Sequence, residues 1–126
     1  MRAVVTDAAP QPVGPYAQAV DTGELVFCAG QIGLDPATGH LVPGGVASET
    51  EQALANLAAV LAAAGLGLDA VVKTTVYVVD LREWPAMNAA YARRFAAPYP
   101  ARAAVEVAAL PAGARVEIEA IAVRRR

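Results

Sequence analysis

Val71-Val72-Lys73-Thr74-Thr75-Val76-Tyr77-Val78-Val79 is the stretch that decides the fold. Its density of β-branched residues predicts a strand, because such side chains fit a pleated surface better than a helix. The period of two gives it unequal faces. Val72, Thr74, Val76 and Val78 fall on one side, while Lys73, Thr75 and Tyr77 share the other, with Val71 and Val79 at its ends. An apolar sheet face needs a covering layer, and helical patterns flank this strand on both sides.

Upstream, Ser48-Glu49-Thr50-Glu51 reads as a capping box, with the serine hydroxyl and the glutamate three residues later each satisfying a backbone N–H. A helix should start there, carry Leu54, Leu57, Ala58 and Leu61 on one face, and end at Gly65 in a left-handed cap. Downstream, residues 80–83 can cap a second helix, with Pro85 in its first turn and Met87, Tyr91 and Phe95 at four-residue intervals. Pro98 and Pro100 are expected to stop it.

Two further strands surround the charges Arg102 and Glu117. Arg102, Ala104 and Glu106 alternate with Ala103, Val105 and Val107, and Glu117 and Glu119 alternate with Val116, Ile118 and Ala120. The wholly apolar sets are expected to face the helices, and the charged sets to meet another subunit. Near the N-terminus, residues 2–5 predict a short strand, and residues 16–20 and 25–29 predict a hairpin about Asp21-Thr22-Gly23. No repeat, linker or second-domain boundary interrupts this order, so one domain over residues 1–126 is expected, its helices covering the apolar strand faces.

The composition bounds the partners. Hydrophobic residues make up 56% of the 126 residues and charged residues 17%, more apolar surface than one small core hides, so self-association is expected. A net charge of −2 offers no field for nucleic acid or an anionic membrane. Arg124-Arg125-Arg126 is read as a solvated basic terminus. Cys28 is the only cysteine, so an intramolecular disulfide is excluded and a reducing compartment suffices. With no signal peptide and no run of membrane-spanning length in the sequence, a cytoplasmic protein is expected.

A charge within an apolar strand needs compensation. Arg102 and Glu117 could be a structural ion pair at a subunit interface. Equally, a guanidinium fork binds a carboxylate bidentately and a carboxylate orients or deprotonates water, which together suit a site for a small carboxylic acid. Cys28 reads as a core residue, since no histidine accompanies it. His40, the single histidine, falls in a turn-rich loop without partners for a metal. Gly30 and Gly33 lack the third glycine and the following helix of a nucleotide fingerprint.

The run Pro100-Ala101-Arg102, Val105, Leu110 and Val116-Glu117-Ile118 resembles the signature of the RidA family, the reactive imine deaminases also called the YjgF family. Gly14-Pro15-Tyr16, Ala29-Gly30-Gln31-Ile32, Val72-Lys73-Thr74-Thr75-Val76, Asn88 with Ala89 and Tyr91, and Glu117 through Ala122 are similar to family segments in the family's order. The resemblance implies a chorismate-mutase-like fold, with a mixed six-stranded sheet and two helices on one face, assembled as a homotrimer with sites between subunits. It implies hydrolysis of 2-imino or 2-enamino acids, of the 2-aminoacrylate and 2-iminobutyrate type, to 2-keto acids and ammonium, without metal or organic cofactor. Arg102 would grip the substrate carboxylate, Glu117 would position the water, and Tyr16, Ala29, Gly30, Asn88 and Ala104 would line the pocket. Ala29 and Ala104 depart from the family's usual serine or threonine and cysteine, so two polar contacts are lost. A non-catalytic trimer of the same fold that binds a carboxylate metabolite is the alternative implied.

Overall fold

The computed structural model describes residues 1–124. Six strands, β1 (Arg2–Val4), β2 (Ala19–Asp21), β3 (Leu25–Ile32), β4 (Val71–Val78), β5 (Ala101–Glu106) and β6 (Val116–Val123), form one sheet in the order β1-β2-β3-β6-β4-β5. All neighbours are antiparallel except β4 and β5. Parallel neighbours need a crossover, which the second helix supplies. Helices α1 (Val46–Ala63) and α2 (Trp84–Ala92) pack together, α1 lying over β3 and β6. The core lies between this layer and the sheet, where Leu54, Leu57, Leu61 and Met87 meet Val76, Val78, Val116 and Ile118, all fully buried. Each such side chain contributes about 1.5–3 kcal/mol through removal from water.

Several boundaries differ from the sequence expectation. Helix α1 begins two residues before Ser48, with Gly45 at its N-cap in a positive-φ conformation and no side-chain cap. Glu49 is buried and turned to another use, described below. At the other end, Gly65 adopts φ 78° and its N–H donates to Ala62 while that of Leu66 donates to Leu61, the left-handed termination that the sequence predicts. Asp80 caps a single 3₁₀ turn, Leu81–Glu83, which leads directly into α2. That helix ends at Ala92, well before Pro98, so Phe95 lies beyond it yet still stacks on Tyr91 with ring centroids 4.6 Å apart.

Two sheet faces also need correction. A β-bulge between Val71 and Lys73 turns Val72 outward, 45% exposed, and Val71 enters the core instead. In β5 the expected faces are reversed. Cross-strand partners share a face, and Arg102, Ala104 and Glu106 lie opposite Thr74, Val76 and Val78 of the helix-covered side. Ala103 and Val105 face outward and are exposed. At the C-terminus Arg124 is tied rather than solvated, donating to Asp21 Oδ2 at 2.6 Å and to the Gly23 carbonyl at 3.1 Å. Arg125 and Arg126 lie outside the described residues.

Candidate active site

The reversal in β5 gives Arg102 its surroundings. Trp84, Asn88 and Tyr91 stand at positions i, i+4 and i+7 of α2 and so form one stripe facing the strand. The guanidinium carbon of Arg102 lies 4.8 Å from the centre of the Tyr91 ring and 5.0 Å from that of Trp84. Its Nη1 donates to Asn88 Oδ1 at 2.7 Å. The Tyr91 hydroxyl and Thr74 Oγ1 are 2.7 Å apart in a buried hydrogen bond, and Thr74 is the residue paired with Arg102 across the sheet. Among the described residues no carboxylate lies within ion-pair distance of Arg102. The guanidinium opens on a cleft of about 460 Å³ that Tyr99, Pro100 and Ala92 also line. Ala104, two residues on, packs against the core rather than lining this cleft.

Glu117 sits on the other side of the sheet. Its strand position pairs it with Ile32 of β3 and Tyr77 of β4, and Tyr77 belongs to the face that no helix covers. Between Cys28 and Gln31 the register of β3 against β6 slips by a residue, so Ala29 and Gly30 bulge opposite Glu119. The bulge brings the bare Cα of Gly30 against the Glu117 side chain, where a Cβ would stand 2.7 Å from Oε2. The absence of a side chain at Gly30 leaves room for the Glu117 carboxylate. Partial burial, with Glu119 beside it, holds the Glu117 carboxyl above its ordinary range. Burial and the same two glutamates raise the Tyr77 phenol.

Of the remaining expected pocket residues, Asn88 and Ala29 fall beside one group or the other. Asn88 touches Arg102 directly. Ala29 adjoins Gly30 in the bulge, its N–H donating to the Gln18 carbonyl at 2.9 Å. Tyr16 is 52% exposed in the loop before β2, with its N–H on the Gly14 carbonyl. One chain thus brings Arg102 together with Asn88, and Gly30 together with Glu117, but it places the two pairs on opposite faces of its sheet. The sequence reading places Tyr91 at helical spacing with Met87 and Phe95 and passes over Trp84. Their spacing from Asn88 was the available signal.

Two other groups lie outside these clusters. Cys28 is buried on the helix side, where desolvation pushes its thiol up to about 11, so it behaves as a small core residue. His40 is exposed. Among the described residues no three His, Cys, Asp or Glu side chains gather into a metal site, and no helix is long and apolar enough to cross a membrane.

Comparison with known proteins bears on the family and the fold. A family model described as Endoribonuclease L-PSP matches residues 6–124. The 2-iminobutanoate/2-iminopropanoate deaminase of Mus musculus is 50% identical over 123 residues, which cover 98% of this chain and 91% of the relative. The crystal structure of RidA from Psychrobacter sp. superposes with a TM-score of 0.95 at 44% identity, covering 98% of this chain and 100% of the other. TdcF of E. coli, solved with bound serine, gives a TM-score of 0.94 at 40% identity, covering 99% and 100%. A mixed sheet with two helices on one face, a nearly full-length family match and half-identical relatives all point one way: the chain belongs to the Endoribonuclease L-PSP family, the YjgF/RidA family.

Proposed function

We propose that this α+β protein hydrolyses reactive 2-imino acids and their 2-enamino tautomers to 2-keto acids and ammonium, the activity for which its mouse and human relatives, 2-iminobutanoate/2-iminopropanoate deaminases, are named. The observation that carries the reading is Arg102. A half-buried guanidinium lies against two aromatic rings with only a neutral amide as partner, so its remaining N–H groups suit a substrate carboxylate. Glu117, with its carboxyl raised toward the working range of a general base, takes a proton from water as the oxygen adds to the imine carbon. From the protonated imine this gives a neutral carbinolamine; Glu117 returns its proton to the amino nitrogen, and as the C–N bond breaks the hydroxyl oxygen forms the keto C=O and its proton leaves with the ammonia as ammonium. These imines already react with water, so orientation and one directed water supply enough acceleration.

The site is completed between copies of the chain. Arg102 with Asn88 comes from one subunit, and Glu117 with Gly30, Ala29 and Tyr16 from its neighbour, while Ala104 packs against the core. Support comes from the opposite faces that the two groups occupy and from the uncovered sheet face, where Phe27 and Val105 are each 43% exposed. A homotrimer, typical of the family, is the assembly proposed, acting on a small molecule in the cytoplasm. The family description names a ribonuclease. The acidic balance and the lone exposed His40 do not favour that chemistry here.

The test follows 2-aminoacrylate or 2-iminobutanoate generated in situ by a dehydratase. Purified protein should accelerate keto-acid formation, and Arg102→Ala should lose most of that acceleration. Glu117→Gln should keep its affinity for 2-oxobutanoate and lose turnover. Binding without turnover in the unaltered protein would instead establish a carboxylate-binding regulator. Light scattering after size exclusion tests the trimer.

A further inference from the structure

Arg102 is held by more than Asn88. The Tyr91 ring that it faces is itself fixed twice, by its hydroxyl on Thr74 and by Phe95 stacked against it at 4.6 Å. Thr74 is in turn the backbone partner of Arg102. The contacts close a loop from Arg102 through Tyr91 and Thr74 back to Arg102's own strand. Trp84 adds a second ring contact from the start of α2, and Asn88 between them takes one N–H. An arginine free to rotate would spend most of its time in other rotamers and would lose side-chain entropy on gripping a ligand. Here the plane of the fork is set before the ligand arrives.

We propose that Trp84 and Tyr91 are positioning residues that pre-set the Arg102 guanidinium, and that this makes the site select substrates with an ionised carboxylate over their neutral analogues. The inference rests on the reading of Arg102 as the carboxylate-binding residue. A ring contact stabilises a cation in place without neutralising it, whereas an aspartate in the same position would satisfy the fork and repel the substrate. The aromatic pair therefore fixes geometry while leaving the charge available. Trp84 is half-buried and packs against the edge of the core, so Trp84→Phe keeps most of its packing, while Tyr91 is 5% exposed and belongs to the core.

The experiment measures binding of 2-oxobutanoate and of its uncharged counterpart 2-oxobutanamide by calorimetry, together with turnover, in Trp84→Leu, Trp84→Phe and Tyr91→Phe. Trp84→Leu should weaken 2-oxobutanoate by about threefold to thirtyfold. It should raise KM with kcat little changed and leave 2-oxobutanamide affinity unaltered. Trp84→Phe restores a ring and should recover most of the loss. Tyr91→Phe keeps the ring, loses the bond to Thr74, and should weaken only the charged ligand. Unchanged 2-oxobutanoate affinity in Trp84→Leu overturns the proposal, and so does equal loss for both ligands, which would mark a merely structural role. Arg102→Ala binding 2-oxobutanoate as well as the unaltered protein would instead overturn the underlying assignment of Arg102.

Discussion

Gly30→Ala separates chemistry from folding. A methyl group at this position would lie 2.7 Å from Glu117 Oε2, 2.9 Å from Cδ and 3.0 Å from Cγ, where ordinary contact begins near 3.4 Å. The carboxylate has to retreat by about 0.7 Å, and misplacing a catalytic group on that scale lowers turnover by about 10- to 100-fold. Folding should barely notice. The atoms struck belong to the end of a half-exposed, flexible side chain, and Gly30 is not among the glycines with positive φ. The loss of glycine's freedom in the unfolded chain offsets part of any strain, leaving a net change within about 1 kcal/mol. For a domain of this size that is a shift in Tm within about 4 °C.

Gly33→Ala supplies the opposite case. Its methyl group would lie 2.7 Å from Glu49 Cα and 2.9 Å from the Glu49 carbonyl oxygen, both backbone atoms of α1 that cannot swing aside. Overpacking of this kind costs about 1–3 kcal/mol and should lower Tm by about 4–12 °C. The assay pairs thermal unfolding with keto-acid formation from dehydratase-generated 2-iminobutanoate for both variants. Full turnover in a folded Gly30→Ala protein would refute the assignment of Glu117 as the water-directing group. A fall in its Tm as large as that of Gly33→Ala would refute the claim that only the carboxylate is displaced.

Glu119→Gln should move the acid limb of the pH–rate profile to lower pH. Burial raises the Glu117 carboxyl first and Glu119 adds to it, so removing that second charge lets Glu117 deprotonate earlier; an unmoved limb would disconnect the two. Glu49→Ala should destabilise the protein by about 2–4 kcal/mol in urea unfolding, because the Arg115 N–H at 2.8 Å and its Nη1 at 3.1 Å both lose a buried acceptor. Cys28, buried with its thiol pushed up to about 11, should resist iodoacetamide at pH 8 in the native protein and react only after denaturation, which mass spectrometry reads directly.

What could be read in the sequence was what depends on local pattern. The β4 strand and the Gly65 helix end each follow from residues adjacent in the chain, and each stands in the structure. Misreadings arose where a remote contact outweighed local preference. Ser48 had the chemistry of a cap, but Gly45 already begins the helix, and Glu49 is drawn inward to Arg115, 66 residues away. Bulges at Val72 and at Ala29-Gly30 leave no reliable trace in a period of two, because they insert a residue into it. The family motif located Arg102, Asn88, Gly30 and Glu117 without saying which of them one chain could bring together.

Strand β5 shows why that last step needed coordinates. Alternation divides Arg102 and Ala104 from Ala103 and Val105, and hydrophobicity alone would send the valine inward. At this sheet edge the inward place is taken by the arginine because α2 offers Trp84, Asn88 and Tyr91, which accept an aliphatic stem, a cation and one N–H together. Val105 is left outside, on the same uncovered face as Glu117 and Phe27. A single register choice thus puts Arg102, the proposed carboxylate grip, on one side of the sheet and an apolar surface around Glu117, the proposed water-directing acid, on the other. That surface is apolar enough to seek a neighbour, and a neighbour seated there could bring its own Arg102 toward the Glu117 that one chain alone keeps apart from it. On this reading association of subunits is a condition of the chemistry, and the excess of apolar residues in so short a chain has a catalytic reason.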